Sequence, residues 1–315
     1  MNFMKSEMNT GTVSQRTLKN AISCKGIGLH GGVECSLTIR PAEPNHGIVF
    51  KRVDITDKHR LVPARWERVS NTMLCTTISN DDGVHVATVE HLMAALSGCG
   101  IDNALIEINS PEVPIMDGSS APFVMLFECV GSVEQEAPRR ALKILKPVTV
   151  SDGDCGVTVL PASNFSVEFE IDFNSEAVRE RSLDVHLVNG TFNASISRAR
   201  TFGFLEDVDR MRAAGLGLGG SLDNVVVVDG DHVMNEGGLR FKDEFVRHKI
   251  LDCVGDFYLA GGPMLARVVA HKSGHAFNNK LLRAVFADES AWKWTTLDES
   301  DVAAWHEDAP LAATA

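Results

Sequence analysis

Arg247-His248-Lys249-Ile250-Leu251-Asp252, continuing through Val254 and Gly255 to Asp256, is the stretch on which the reading of this chain turns. An α-helix turns once in about 3.6 residues, so His248, Asp252 and Asp256, spaced four apart, fall near one side of a helix. Two readings suit that spacing: a solvated ladder of i,i+4 charge pairs, or a set of ligands. The flanking residues Ile250, Leu251, Val254, Phe257, Tyr258 and Leu259 make most of the circumference apolar. A largely buried helix must find partners for its polar groups, and a metal ion is one way to supply them.

Upstream, Val89, Leu92, Met93, Ala95 and Leu96 recur at helical spacing, which predicts a helix from near Thr88 to Gly98 or Gly100. It carries Glu90-His91, so a second histidine-bearing helix answers the first. Strands precede each of them. Val33 to Ile39 alternates with period two after the glycine turn Lys25-Gly26-Ile27-Gly28-Leu29-His30-Gly31-Gly32, and Ile48–Ile55, Thr72–Ile78 and Ala104–Ile108 follow. In the second half Val148–Val150, Gly156–Leu160, Ser166–Phe173 and Met264–Ala270 read alike, with helices over about 123–130, 205–214 and 278–287. The charged, proline-bearing run at 134–140 marks a boundary. We therefore expect a disordered leader at 1–15, an α+β domain at 16–134, a linker at 135–141, a second α+β domain at 142–290, and a tail at 291–315. The second domain carries a lid-like insert at about 201–224. Its glycine run, Gly215 to Gly220, follows a helix and precedes a strand, the reverse of a dinucleotide-binding loop. Such a run suits a lid or a surface of close approach.

Composition narrows the function. The net charge of -12 argues against sequence-independent nucleic-acid binding, which requires a basic surface. No apolar run approaches the ~18 residues of a membrane span. The 7 cysteines, scattered and never in a CxxC pair, fit a reducing cytoplasm. Catalytic zinc commonly takes three histidine or carboxylate ligands. His248 and Asp252 offer two, His91 is the attractive third, and Glu90 beside it is placed to act as a base. His275, in a polar loop, and Asp256 form a candidate acid and its orienting carboxylate, while Lys249 and Lys272 are candidates for an anionic group.

The ordered set of Gly26–His30, Thr88–Leu96, Pro114-Ile115-Met116-Asp117-Gly118, Ser197–Gly203, Gly220–Asn224, Arg247–Asp252 and His271–His275 resembles the UDP-3-O-acyl-N-acetylglucosamine deacetylase family, zinc enzymes of the committed step of lipid A biosynthesis in Gram-negative bacteria. The resemblance runs from about Gln15 to Phe286. It implies two α+β domains of similar topology, sheets outside and helices face to face, with the active site in the cleft between them. It implies Zn²⁺, with Fe²⁺ as the alternative, on His91, His248 and Asp252. Glu90 would be the general base, His275 the charged acid oriented by Asp256, and Thr201 a donor to the oxyanion. Phe202 would border an acyl passage, Lys249 and Lys272 would meet sugar and diphosphate, and Met73 and Cys75 would approach the substrate. The implied protein is a cytoplasmic monomer acting on a UDP-linked acylated amino sugar. A zinc hydrolase of another amide or ester, and a nucleotide-sugar binding module with a structural metal, are the competing readings.

Overall fold

Leu37 and Ile39, two residues apart on the strand Glu34–Pro41, both turn inward with no exposed surface, as a half-buried strand requires. The same alternation recurs through the chain in its computed structural model, which describes residues 11–188, 190–299 and 301. The first sheet has the order Ile22–Ile27, Glu34–Pro41, Ala104–Ile108, Ile48–Arg52, Leu61–Pro63. All its neighbours are antiparallel except Ile48–Arg52, which runs parallel to Ala104–Ile108.

The second sheet repeats this plan. Val148–Asp152, Cys155–Pro161, Met264–His271, Phe165–Glu170 and Ser182–His186 lie in that spatial order, again antiparallel save for one parallel pair, Phe165–Glu170 beside Met264–His271. The helices are α1 (Glu90–Gly98), α2 (Ala121–Val130), α3 (Leu205–Ala213), α4 (Glu244–Tyr258) and α5 (His275–Ala287). In each half one helix, α1 or α4, precedes Ala104–Ile108 or its counterpart Met264–His271, and another, α2 or α5, follows that strand. The α+β architecture with two units of like topology is thus present, although no residue-level repeat is visible in the sequence.

Helices α1 and α4 pack against each other. Gly255 makes the contact close: a Cβ there would lie 2.0 Å from the Glu90 carbonyl oxygen and 3.0 Å from its Cα. Buried apolar residues of both sheets and of these two helices form one continuous cluster.

Several expected segments fold differently. Residues 135–141, expected as a linker, lie in two strands: Ser132–Pro138 pairs with Ser14–Leu18, and Arg140–Ile144 joins the second sheet beside Met264. Ladder bonds need no apolar period, and this charged run therefore gives no sequence signal for them. Residues 14 and 15 of the expected leader belong to the strand Ser14–Leu18, and residues 1–10 lie outside the described residues. Trp292–Thr296, placed in the tail, pairs antiparallel with Arg140–Ile144; the remainder of the tail from 302 onward lies outside the described residues. The lid-like segment is tied at both ends. Phe202–Phe204 pairs with Val226–Asp229, and Leu218 and Gly219 donate backbone N–H groups to the carbonyls of His30 and Leu29 at 3.1 and 3.0 Å. A Cβ on Gly219 would meet the Gly28 carbonyl oxygen at 2.2 Å, so the close approach made by this glycine is to the turn of the first half.

Candidate functional site

Helix α1 begins at a forced corner. Thr88 has φ +55°, a value that side chains seldom adopt, and its hydroxyl donates to Glu112 Oε1 at 2.9 Å. The same carboxylate accepts the backbone N–H groups of His30 and Gly31, each at 2.8 Å. Glu112 therefore ties the glycine turn to the start of α1, where Glu90 and His91 are buried. At the start of α4, the buried Glu244 accepts the backbone N–H of Arg200 at 3.0 Å and its guanidinium at 2.8 Å. That pair fixes the 198–201 segment against α4, and the Ala199 carbonyl lies 3.1 Å from His248 Nδ1. A carbonyl only accepts, so Nδ1 carries the proton and Nε2 presents its lone pair.

His91, His248 and Asp252 come together, their candidate ligand atoms all within 4.8 Å of one another. Asp252 Oδ1 is 3.4 Å from His248 Nε2 and 3.6 Å from His91 Nε2, long for hydrogen bonds. Asp252 Oδ1 and His91 Nδ1 are both buried without a hydrogen-bond partner. Orphaned polar atoms at this depth are costly, and a nitrogen, nitrogen, oxygen set of this size fits a metal ion such as zinc. Burial lowers the His248 imidazole to about 4 even though Asp252 pulls the other way, which keeps it a neutral donor. Burial alone would raise the Asp252 carboxyl, but His248 and the Lys249 ammonium hold it well below the usual carboxylate range.

The acid–base groups lie alongside. Glu90 Oε2 accepts the Thr76 backbone N–H at 3.0 Å, while Oε1 faces His275 Nε2 at 4.0 Å. Burial pushes the Glu90 carboxyl up to about 7 against the pull of His275 and His91. His275 is the first residue of α5, not a loop residue; Gly274 ahead of it hides the helix start from an apolar-period reading. Its Nδ1 donates to Asp256 Oδ2 at 2.8 Å. Burial disfavours the imidazolium, yet Asp256, by charge and by hydrogen bond, and then Glu90 outweigh it and raise the group to about 9. Asp256 also accepts from Asn278 Nδ2 at 2.8 Å and from the Thr76 hydroxyl at 2.6 Å.

Two cavities meet here. One, of about 610 Å³, is lined by Glu90, His91, His248, Asp252, His275, Lys249 and Lys272. The other, of about 460 Å³, is mainly apolar and runs between Phe173, Phe202, Phe204, Val208, Met211 and Leu222. Thr201, Phe202 and His30 line both. The remaining expected residues sit otherwise. Lys249 donates to Asp252 Oδ2 at 2.9 Å, so its ammonium neutralises the metal-site carboxylate. Lys272 lies between Asp154 and Asp172, at 2.7 and 2.8 Å. Neither lysine is placed as a free cation. Met73 is 59% exposed and Cys75 is buried, while Thr72 and Leu74 line the polar cavity; the strand expected over 72–78 is here a bend between Val69–Asn71 and Thr77–Ser79, with Leu74 at φ +63°.

Sequence reasoning passed over Thr76, Asn278 and Glu112, which show no motif of their own. It also left His30 without a role, although it is the one titratable side chain of the glycine turn. His30 is 7% exposed and neither ring nitrogen has a hydrogen-bond partner.

Fold and site together define a class: an α+β protein of two like halves whose facing helices present three residues able to hold a metal ion beside a paired carboxylate and imidazole. The sequence model of the family described as LpxC, UDP-3-O-acyl N-acetylglycosamine deacetylase, matches residues 15–287, and the chain belongs to that family. A UDP-3-O-acyl-N-acetylglucosamine deacetylase of Vibrio parahaemolyticus is 48% identical over 289 residues, 91% of this chain and 94% of the relative. One of Idiomarina loihiensis is 48% identical over 294 residues, covering 93% and 96%. One of Stenotrophomonas maltophilia is 49% identical over 288 residues, covering 91% and 94%. Among the described residues no helix is long and apolar enough to cross a membrane.

Proposed function

We propose that this chain hydrolyses the N-acetyl group of a UDP-3-O-acyl-N-acetylglucosamine to the free amine and acetate, a step of lipid A biosynthesis, with Zn²⁺ held by His91, His248 and Asp252. The names of the family and of its relatives support the substrate. The observation that carries the chemistry is the convergence of His91 Nε2, His248 Nε2 and the buried, partnerless Asp252 Oδ1, beside the Glu90 carboxylate and the His275 imidazole. When bound, the ion supplies Lewis acidity towards the acetyl carbonyl and a water. Glu90, poised near neutrality, takes the proton of the attacking water. His275, kept charged by Asp256, stabilises the oxyanion with Thr201 and then gives its proton to the leaving nitrogen. The apolar cavity beside Phe202 takes the fatty acyl chain, and Lys272 meets the diphosphate by exchanging a carboxylate partner for phosphate. All 7 cysteines are free, which supports a cytoplasmic, reducing setting.

The test is acetate release from the acylated nucleotide sugar by purified protein, lost with a chelator and restored by zinc. Equal turnover of the substrate lacking its acyl chain would favour a broader amide hydrolase, and no turnover with a tightly retained metal would favour a binding module.

A further inference from the structure

Thr76 belongs to none of the motifs, yet it joins two parts of the site across 180 positions of chain. It is 2% exposed. Its backbone N–H donates to Glu90 Oε2 at 3.0 Å and its hydroxyl to Asp256 Oδ1 at 2.6 Å. Its carbonyl accepts the N–H of Val89, the residue before α1, at 3.2 Å. The second oxygen of Asp256 is occupied from the other side by His275 Nδ1 and Asn278 Nδ2. Without the hydroxyl, a buried carboxylate oxygen would lose its donor and the group would be free to turn. The groups that face His275 are Asp256 and Asp252 from α4, Glu90 from α1 and His30 from the glycine turn. Of these, Asp256 holds the ring by a hydrogen bond of 2.8 Å.

From this juxtaposition we infer that Thr76 is a positioning residue for the hydrolysis: its hydroxyl locks the Asp256 carboxylate that orients and charges His275, while its amide fixes the Glu90 oxygen turned away from His275. The inference rests on the deacetylase reading for its kinetic consequence and on geometry alone for its effect on His275. Because one residue reaches both groups, the relative placement of acid and base is set at Thr76. Neither catalytic side chain fixes that placement by itself.

The discriminating pair is Thr76→Val, which keeps the branched shape and the amide but not the hydroxyl, and Thr76→Ser, which keeps the hydroxyl. In the zinc-loaded full chain, Thr76→Val is expected to lower kcat about ten- to a hundredfold with KM within about twofold. The alkaline limb of its pH profile should move down by about one unit as His275 loses its proton more readily. Thr76→Ser should return both towards the parent. Thr76→Ala, which also lacks the hydroxyl, is read in the same way if the valine variant does not fold. An unchanged kcat and limb in the valine variant would overturn the inference, and so would a serine variant as impaired as the valine one. If the parent protein releases no acetate, it is the deacetylase reading that fails. The ring of His275, titrated by NMR in parent and Thr76→Val, then still decides: a lowered pKa in the variant upholds the positioning role, and an unmoved one removes it.

Discussion

The two halves share a strand plan but load their helices differently. On α4, His248 rests on the Ala199 carbonyl, Asp252 Oδ2 on Lys249, and Asp256 on Thr76, His275 and Asn278, and Asp252 Oδ1 is left without a partner. On α1, His91 has a ring nitrogen with no partner, and Glu90 has a single hydrogen bond, from a backbone amide. A helix whose ligands are braced in advance loses little entropy when an ion arrives, whereas a lightly tethered carboxylate can swing between accepting and releasing a proton. Helix α4 is thus the more fully braced of the two, and Glu90 on α1 the more lightly held. Variants on the two helices should then fail in different ways.

The largest effect is expected at Asp252. Asp252→Ala removes a candidate ligand and leaves the part-buried Lys249 without its carboxylate, a change bounded above by the ~3–5 kcal/mol of breaking a fully buried pair. Bound metal, turnover and melting temperature should fall together. A variant that retains stoichiometric metal would take Asp252 out of the ligand set. Next is Glu90→Gln, which keeps the acceptor for the Thr76 amide. Metal content and stability should hold while kcat drops about 10²–10⁴-fold. A metal-free Glu90→Gln protein would count against a role for Glu90 separate from holding the metal. Third is His275→Ala. His275 is held up to about 9, so its proton is present below that pH and lost above it, and the parent profile should decline on the alkaline side. In the variant that decline should vanish along with about 10²-fold in rate. A variant retaining the same alkaline limb would show that another group gives rise to it.

The same contrast governs how much could be read in advance. The clustering of His248 and Asp252 was legible because an i,i+4 histidine and aspartate on an otherwise apolar helix is a local pattern, and the strands because Leu37 and Ile39 alternate. His91 beside Glu90 and His275 in its glycine-bounded segment were candidates from their neighbours in sequence, and the resemblance gave them their implied roles. What stayed hidden was non-local or lacked a period. Thr76 and Asn278 matter only because distant elements converge on Asp256. The strands over 132–138 and 292–296 are held by partners on remote parts of the chain. The lysines were read by charge alone, and charge does not reveal that Asp252, Asp154 and Asp172 already occupy them.

The smallest effect, and the most direct on the contact between halves, is expected from Gly255→Ala. The added Cβ would lie 2.0 Å from the Glu90 carbonyl oxygen and 2.7 Å from its carbon. These are backbone atoms and cannot swing aside as a flexible side chain would. Alanine gains ~1 kcal/mol of helix propensity over glycine, so a net loss must come from packing, where an extra methyl in a tight contact costs ~1–3 kcal/mol. Near cancellation or a loss of up to ~2 kcal/mol is therefore the expected change in stability. Activity should suffer more than stability, because the displaced atoms belong to the catalytic carboxylate's own residue while the α4 ligands keep their braces. A kcat reduced about tenfold at nearly full metal occupancy would match a shift of Glu90 against an intact ligand set. If turnover is unaffected, Glu90 does not depend on the close approach of α1 to α4 at Gly255.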